Sequence, residues 1–216
     1  LTPGVRIAHY VAAGMSLMLF STWLFLMATR KTPASTLKVR IGDSVLPFVT
    51  PRSDGTTFDV GSLQGKRYLL KFFRGAWCPY CSAELKRFDE LSPLLQERNI
   101  DFVALSKDDP EAAAKQVLRD GLRFPLLSDP ELKVIRQYGV EHHKAIEFSK
   151  VAFTVFGMPL ALVPSVKTMA IPTTLLIDEE GIVRWIDQTD DYRLRSSEER
   201  VLQAIDEVFG PPNAAA

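Results

Sequence analysis

The chain has 216 residues, with 26 Lys and Arg against 26 Asp and Glu. A formal net charge of zero gives no sequence-independent attraction to a phosphate backbone, so no nucleic-acid partner is expected. Its only two cysteines, Cys78 and Cys81, are too few for a disulfide-built scaffold and, unless histidines join them, for a structural zinc site.

From Ile7 to Thr29 there is no Asp, Glu, Lys or Arg, a run of 23 residues bounded by Arg6 and by Arg30 and Lys31. At about 1.5 Å per residue this run crosses roughly 30 Å of hydrocarbon with a little to spare. It ends without the small-x-small cleavage site of a secretory signal, so residues 1–31 read as an uncleaved, single-pass anchor in the cell membrane. Arg30, Lys31, Lys38 and Arg40 follow the span and only Arg6 precedes it. The positive-inside count therefore puts the large domain in the cytoplasm, with the exported side as the alternative.

Residues 32–38 form a polar linker, residues 39–210 a single domain, and residues 211–216 a tail opened by a proline pair. Tyr68 to Phe73 reads as a buried strand, after which Cys81, Leu85, Phe88, Leu91 and Leu95 recur at helical spacing along one face. Ile100 to Leu105 is the next strand. A helix from Pro110 to Asp120 follows, opened by Asp108 and Asp109 and closed by Gly121, and another runs from Leu132 to Tyr138. Thr173 to Ile177 and Ile182 to Ile186 read as a hairpin, and Ser197 caps the last helix, which runs to Val208. This order implies an α/β domain, a mixed sheet with helices on both faces, behind one N-terminal transmembrane helix. An insertion, residues 141–168, breaks the rhythm with the apolar stretch Val151 to Val163, too short to span a bilayer. It reads as an inserted helix and loop, the alternatives being a lid, a dimer contact or a surface resting on the membrane.

The chemistry is concentrated where the strand meets the helix. With Cys78 as N-cap, Pro79 takes the first helical position, where its missing N–H costs nothing. The Cys78 sulfur then faces the free N–H groups of the first turn and the positive end of the helix dipole, an arrangement that lowers a thiol pKa. Cys81 lies one turn on and can close a disulfide with Cys78, so the pair can cycle between dithiol and disulfide. A zinc site would need His142 and His143 as well, but adjacent histidines point different ways, and both read as solvated. No metal is expected, and no cofactor beyond the redox-active disulfide Cys78–Cys81.

Ile41-Gly42-Asp43 with Pro47-Phe48, Gly65-Lys66, Trp77-Cys78-Pro79-Tyr80-Cys81 and Ala170-Ile171-Pro172-Thr173-Thr174 resemble the peroxiredoxin-like (AhpC/TSA, redoxin) group of the thioredoxin fold. The resemblance covers roughly Val39 to Val208. It implies a thioredoxin-like mixed sheet and a cis bond between Ile171 and Pro172, whose backbone pairs with an incoming substrate. In the thioredoxin register Trp77, Cys78, Cys81 and Pro172 are all in place. In the peroxiredoxin register Cys81, followed by Ala83-Glu84-Leu85, falls on the peroxidatic position. Cys78 and Pro172 then replace a threonine and an arginine that act on the peroxide. Arg74 and Arg195 are the cations that could substitute, and Glu84 is a possible proton acceptor for Cys81.

The leading expectation is thus a membrane-anchored thiol–disulfide oxidoreductase, with a protein or small-molecule disulfide as substrate and a thiol reductant as second partner. A thiol peroxidase, in which Cys81 attacks peroxide and Cys78 resolves it, is the first alternative. An accessory subunit of a larger membrane complex is the second.

Overall fold

The computed structural model describes residues 3–28, 31–32, 36–149, 153–155, 158–160, 163–188, 190–191, 194 and 197–211. Arg195 lies outside them. The chain divides into two compact units, Leu1–Lys31 and Thr32–Ala216. The first is the helix α1 (Pro3–Ala28), whose segment Arg6–Phe25 is long and apolar enough to cross a membrane.

The second unit is built on a five-stranded sheet. Its strands are β3 (Arg67–Phe72), β4 (Ile100–Ser106), β5 (Leu127–Ser128), β10 (Thr173–Ile177) and β11 (Val183–Gln188), in the order β11-β10-β3-β4-β5. β3, β4 and β5 are parallel, and β10 runs antiparallel to both β3 and β11, so the sheet is mixed. Helix α2 (Pro79–Glu97) leaves β3, α3 (Pro110–Asp120) leaves β4, α4 (Lys133–Tyr138) follows β5, and α5 (Glu198–Phe209) closes the domain.

Alternation along β3 distributes the core. Tyr68, Leu70 and Phe72 join Val134, Ile135 and Tyr138 of α4 on one face, together with Phe48 and Phe58. Leu69 joins Phe88, Leu91 and Leu95 of α2 and Val201 and Ile205 of α5 on the other. Phe48 precedes, and Phe58 lies within, a small hairpin of β1 (Val49–Pro51) and β2 (Thr57–Asp59), which is too short to leave a periodic signal. Helix ends follow the local chemistry of the chain. Asp109 accepts a hydrogen bond from the N–H of Ala112, Ser197 accepts one from Arg200, and Gly121 takes the left-handed conformation that ends α3.

The insertion departs from the helix-and-loop expectation. β6 (Glu141–Ser149) pairs antiparallel with β9 (Val163–Ala170), and β7 (Phe153–Val155) with β8 (Met158–Leu160), making two separate two-stranded ribbons. Its β-branched and aromatic residues satisfy either periodicity over so short a run, and the long antiparallel register is what selects the strand.

Candidate active site

The register Thr173↔Phe72 places Ile171 and Pro172 at the same end of the sheet as the loop from Phe73 to Trp77 that leads into α2. Cys78 is the N-cap of α2 in an extended conformation (φ −84°, ψ 113°), Pro79 starts the helix, and Cys78 C=O accepts from the N–H groups of Cys81 and Ser82, both at 3.1 Å. Neither cysteine is in a disulfide, and both are buried, Cys78 at 1% exposure and Cys81 at 0%. They pack in one apolar cluster with Phe73, Leu85, Ala104, Ala113, Leu122 and Leu126.

That burial corrects the electrostatic expectation. The Cys78 sulfur makes no capping hydrogen bond. Its thiol is pushed well above the ordinary cysteine value, first by its hydrogen bond with Cys81 and then by burial, which outweigh the Cys81 N–H and the Arg74 guanidinium. A helix terminus favours a thiolate only where the sulfur meets the N–H groups or keeps some contact with water.

The Ile171–Pro172 bond is also a correction, since no peptide bond among the described residues is cis. A trans X–Pro bond is the favoured isomer by about 0.5–1 kcal/mol. Here the trans chain also satisfies its polar groups, with Ile171 N–H donating to Val140 C=O at 2.7 Å and Thr173 Oγ1 donating to Ile171 C=O at 3.0 Å.

Arg74 is buried at 3% exposure, with its guanidinium carbon 4.9 Å from the centroid of the Trp77 ring and its Nε 3.1 Å from Met169 Sδ. The Trp77 indole nitrogen is buried without a hydrogen-bond partner. Glu84, three residues after Cys81, sits 2.7 Å from Lys71 Nζ of β3, which also reaches Thr174 Oγ1 at 3.0 Å; lysine and glutamate are both buried. In β6, burial and then Arg74 and His143 push His142 down to about 4, and the residue is half-buried rather than solvated. His143 is exposed. Among the described residues no group of three or more His, Cys, Asp or Glu could hold a metal ion.

Residues far apart in sequence complete the site. Ala76 N–H donates to Asp108 Oδ2 at 2.7 Å, and Arg119 Nη1 donates to Ala76 C=O at 2.9 Å. Lys71 had a visible signal, a cation inside an otherwise apolar strand. Asp108, Arg119 and Met169 had none, because each reaches the site through tertiary packing.

The AhpC/TSA family profile matches residues 41–186, which include Cys78, Cys81 and Pro172. The chain belongs to the AhpC/TSA family. Among curated members, the thiol-disulfide oxidoreductase ResA of Bacillus anthracis is 34% identical over 104 residues, which cover 48% of this chain and 60% of ResA. ResA of Halalkalibacterium halodurans is 28% identical over 143 residues, covering 66% of this chain and 65% of that protein. The chain thus spans about three fifths of the length of these curated relatives. Among solved structures, peroxidoxin BcpB from Mycobacterium tuberculosis superposes with a TM-score of 0.59 at 23% identity, over 79% of this chain and 96% of that one. A peroxiredoxin-like protein from Aquifex aeolicus gives 0.62 at 18% identity, over 81% and 92%. At these identities the superpositions establish the thioredoxin-like fold of AhpC/TSA proteins.

Proposed function

We propose that this chain is a thiol–disulfide oxidoreductase that cycles Cys78 and Cys81 between dithiol and disulfide, with no cofactor beyond that pair. The observation that carries the reading is a pair of thiols, neither in a disulfide, one helical turn apart at the start of α2, at the sheet end that also carries Ile171-Pro172. The relation to ResA supports it. In the first step Cys78 thiolate attacks one sulfur of a substrate disulfide; the substrate S–S bond breaks, and the leaving thiolate takes up a proton. Cys81 then gives its proton to a base, for which Glu84 is placed three residues on, and attacks the Cys78 sulfur of the mixed disulfide. The second substrate thiol leaves, the substrate carries away the two electrons given up by the dithiol, and the oxidised pair is left as the Cys78–Cys81 bond, to be reduced by an external thiol. Trp77 packs against the cluster that holds both sulfurs, and Pro172 lies at the same end of the sheet. In this reading α1 tethers the domain to a membrane, and labelling Cys78 with a membrane-impermeant thiol reagent on intact cells reports its side.

The burial of both sulfurs favours a second reading. Peroxide is small enough to reach a covered thiol that a protein disulfide cannot reach without displacement of the chain. Cys81 thiolate would attack one peroxide oxygen, the O–O bond would break to release water, and the resulting sulfenic acid would condense with Cys78 to a disulfide and a second water. The cysteine variants separate the two. Under the proposed function, Cys78→Ser loses disulfide reduction and Cys81→Ser accumulates a mixed disulfide. Full disulfide-reducing turnover in Cys78→Ser overturns the proposal, and rapid oxidation of that variant by hydrogen peroxide selects the peroxidase.

A further inference from the structure

Arg119 reaches the cysteine motif from both sides. Its Nη1 donates to the carbonyl of Ala76, two residues before Cys78, and its Nη2 lies 2.8 Å from the hydroxyl of Ser82, the residue after Cys81. Nε and Nη2 also pair with Asp120 at 2.8 and 2.9 Å. Burial opposes the Asp120 charge, but hydrogen bonds from Arg119, Ser82 and Gln116 hold its carboxyl below the usual range. The fork is thus fixed at its root, on the last turn of a helix whose Ala113 and Gln116 are buried. The other polar group of Ala76, its N–H, is held by Asp108, itself bonded to the Ser106 hydroxyl at 2.9 Å. Both backbone polar groups of Ala76 are therefore tied, the N–H through Asp108 to Ser106 at the end of β4 and the C=O to α3, and the loop can lift off Cys78 only when these ties let go.

We propose that Arg119 is a positioning residue that keeps the Cys78 thiol covered, by tying the loop before it and the helix turn after it to the end of α3. A planar guanidinium can bridge two acceptors and a carboxylate at once, whereas an ammonium cannot. The Arg119 side chain is about half exposed, so an incoming substrate can compete for it from solvent. The Arg119 hydrogen bonds end on the Ala76 carbonyl and the Ser82 hydroxyl, not on a cysteine sulfur, so its action is through position. The inference rests on the dithiol reading for its meaning, but the covering itself is measurable without turnover.

The test alkylates the reduced full-length protein with iodoacetamide and reads Cys78 and Cys81 separately by fragmenting the tryptic peptide 75–86. Wild type is compared with Arg119→Ala, Arg119→Lys and Ser82→Ala, each with its thermal unfolding midpoint and with its rate measured from pH 6 to 10. Loss of one charge-assisted hydrogen bond on the loop is expected to speed Cys78 alkylation about tenfold or more in Arg119→Ala. Arg119→Lys and Ser82→Ala should fall between Arg119→Ala and wild type, with no change in the pH at which the rate turns up. An unchanged rate in Arg119→Ala overturns the proposal. So does a slower one that Lys restores, because that is the signature of a thiolate-stabilising charge. If Arg119→Ala loses cooperative unfolding, the Lys and Ser82 variants decide by the same criteria. Incubation of wild type with glutathione disulfide separates the two claims: absence of a Cys78–Cys81 disulfide defeats the function, while the alkylation rates still judge Arg119.

Discussion

Lys71 of β3 and Glu84 of α2 face each other across the sheet–helix interface, 2.7 Å apart and both out of reach of water. Removing one partner of such a pair leaves a buried charge alone, so Lys71→Met or Glu84→Leu should cost about 3–5 kcal/mol in urea unfolding. The double variant Lys71→Met/Glu84→Leu replaces both charges with side chains of similar volume and should regain most of that loss. Turnover should behave differently. If Glu84 accepts the Cys81 proton, the stable double variant remains slower by about 100-fold in disulfide reduction, the usual scale of a lost general base. Recovery of turnover together with stability would assign the pair to packing alone.

The raised Cys78 thiol predicts its own pH dependence. A free thiol here has an ordinary value of 9.0, and the folded reduced protein holds Cys78 above it. The unfolded chain therefore loses a proton near pH 9 that the folded chain retains, so the reduced protein loses stability as pH rises past 9. Urea midpoints of the reduced protein at pH 7.5 and 9.5 should differ more for wild type than for Cys78→Ala. An equal drop in both would place the effect elsewhere.

Why these properties escape a reading of the sequence is clear from the same residues. The strand from Tyr68, the Cys-x-x-Cys at its exit and the helix between Asp109 and Gly121 are written in local signals: apolar runs, a proline after a cap, a glycine stop. The direction of the Cys78 pKa shift depends on what covers the sulfur, and its cover comes from residues as distant as Leu122 and Leu126. Arg119 looks like one more cation on an amphipathic helix until α3 is laid beside the loop, 43 positions away in sequence. The insertion is ambiguous for another reason: residues 151–163 carry a single polar side chain, Thr154, which leaves periodicity too little from which to choose helix or strand.

His142 should titrate in the opposite sense to Cys78. Its ordinary value is 6.5 and the fold holds it near 4. Between those values the unfolded chain binds a proton that the folded chain refuses, so stability is full above about pH 6.5 and falls as pH drops toward 4. With an allowance for its partial exposure, the loss is at most about 2 kcal/mol. Carboxylates also titrate in this range, so the diagnostic quantity is the difference between wild type and His142→Gln. Unfolding free energies at pH 5 and pH 7.5 should show a smaller drop in the variant, and an identical drop would assign the whole effect to the carboxylates.

Gly75 is where a single methyl group should disturb the site most. Its φ is +143°, a backbone conformation that side chains rarely adopt, and a Cβ built there would lie 2.9 Å from Asp108 Oδ1 and 3.0 Å from Oδ2. That carboxylate cannot simply swing aside, because Oδ2 accepts from both the Ala76 N–H and the Ser106 hydroxyl. Gly75→Ala should therefore cost about 1–3 kcal/mol through the backbone alone, plus whatever is lost when Asp108 lets go of Ala76. Asp108→Ala removes the clash and the hydrogen bonds together. The two substitutions should then be sub-additive, the double variant being less destabilised than the sum of the singles in urea unfolding. Strict additivity would mean that Gly75 and Asp108 do not meet, and that the loop before Cys78 is held by something other than this contact.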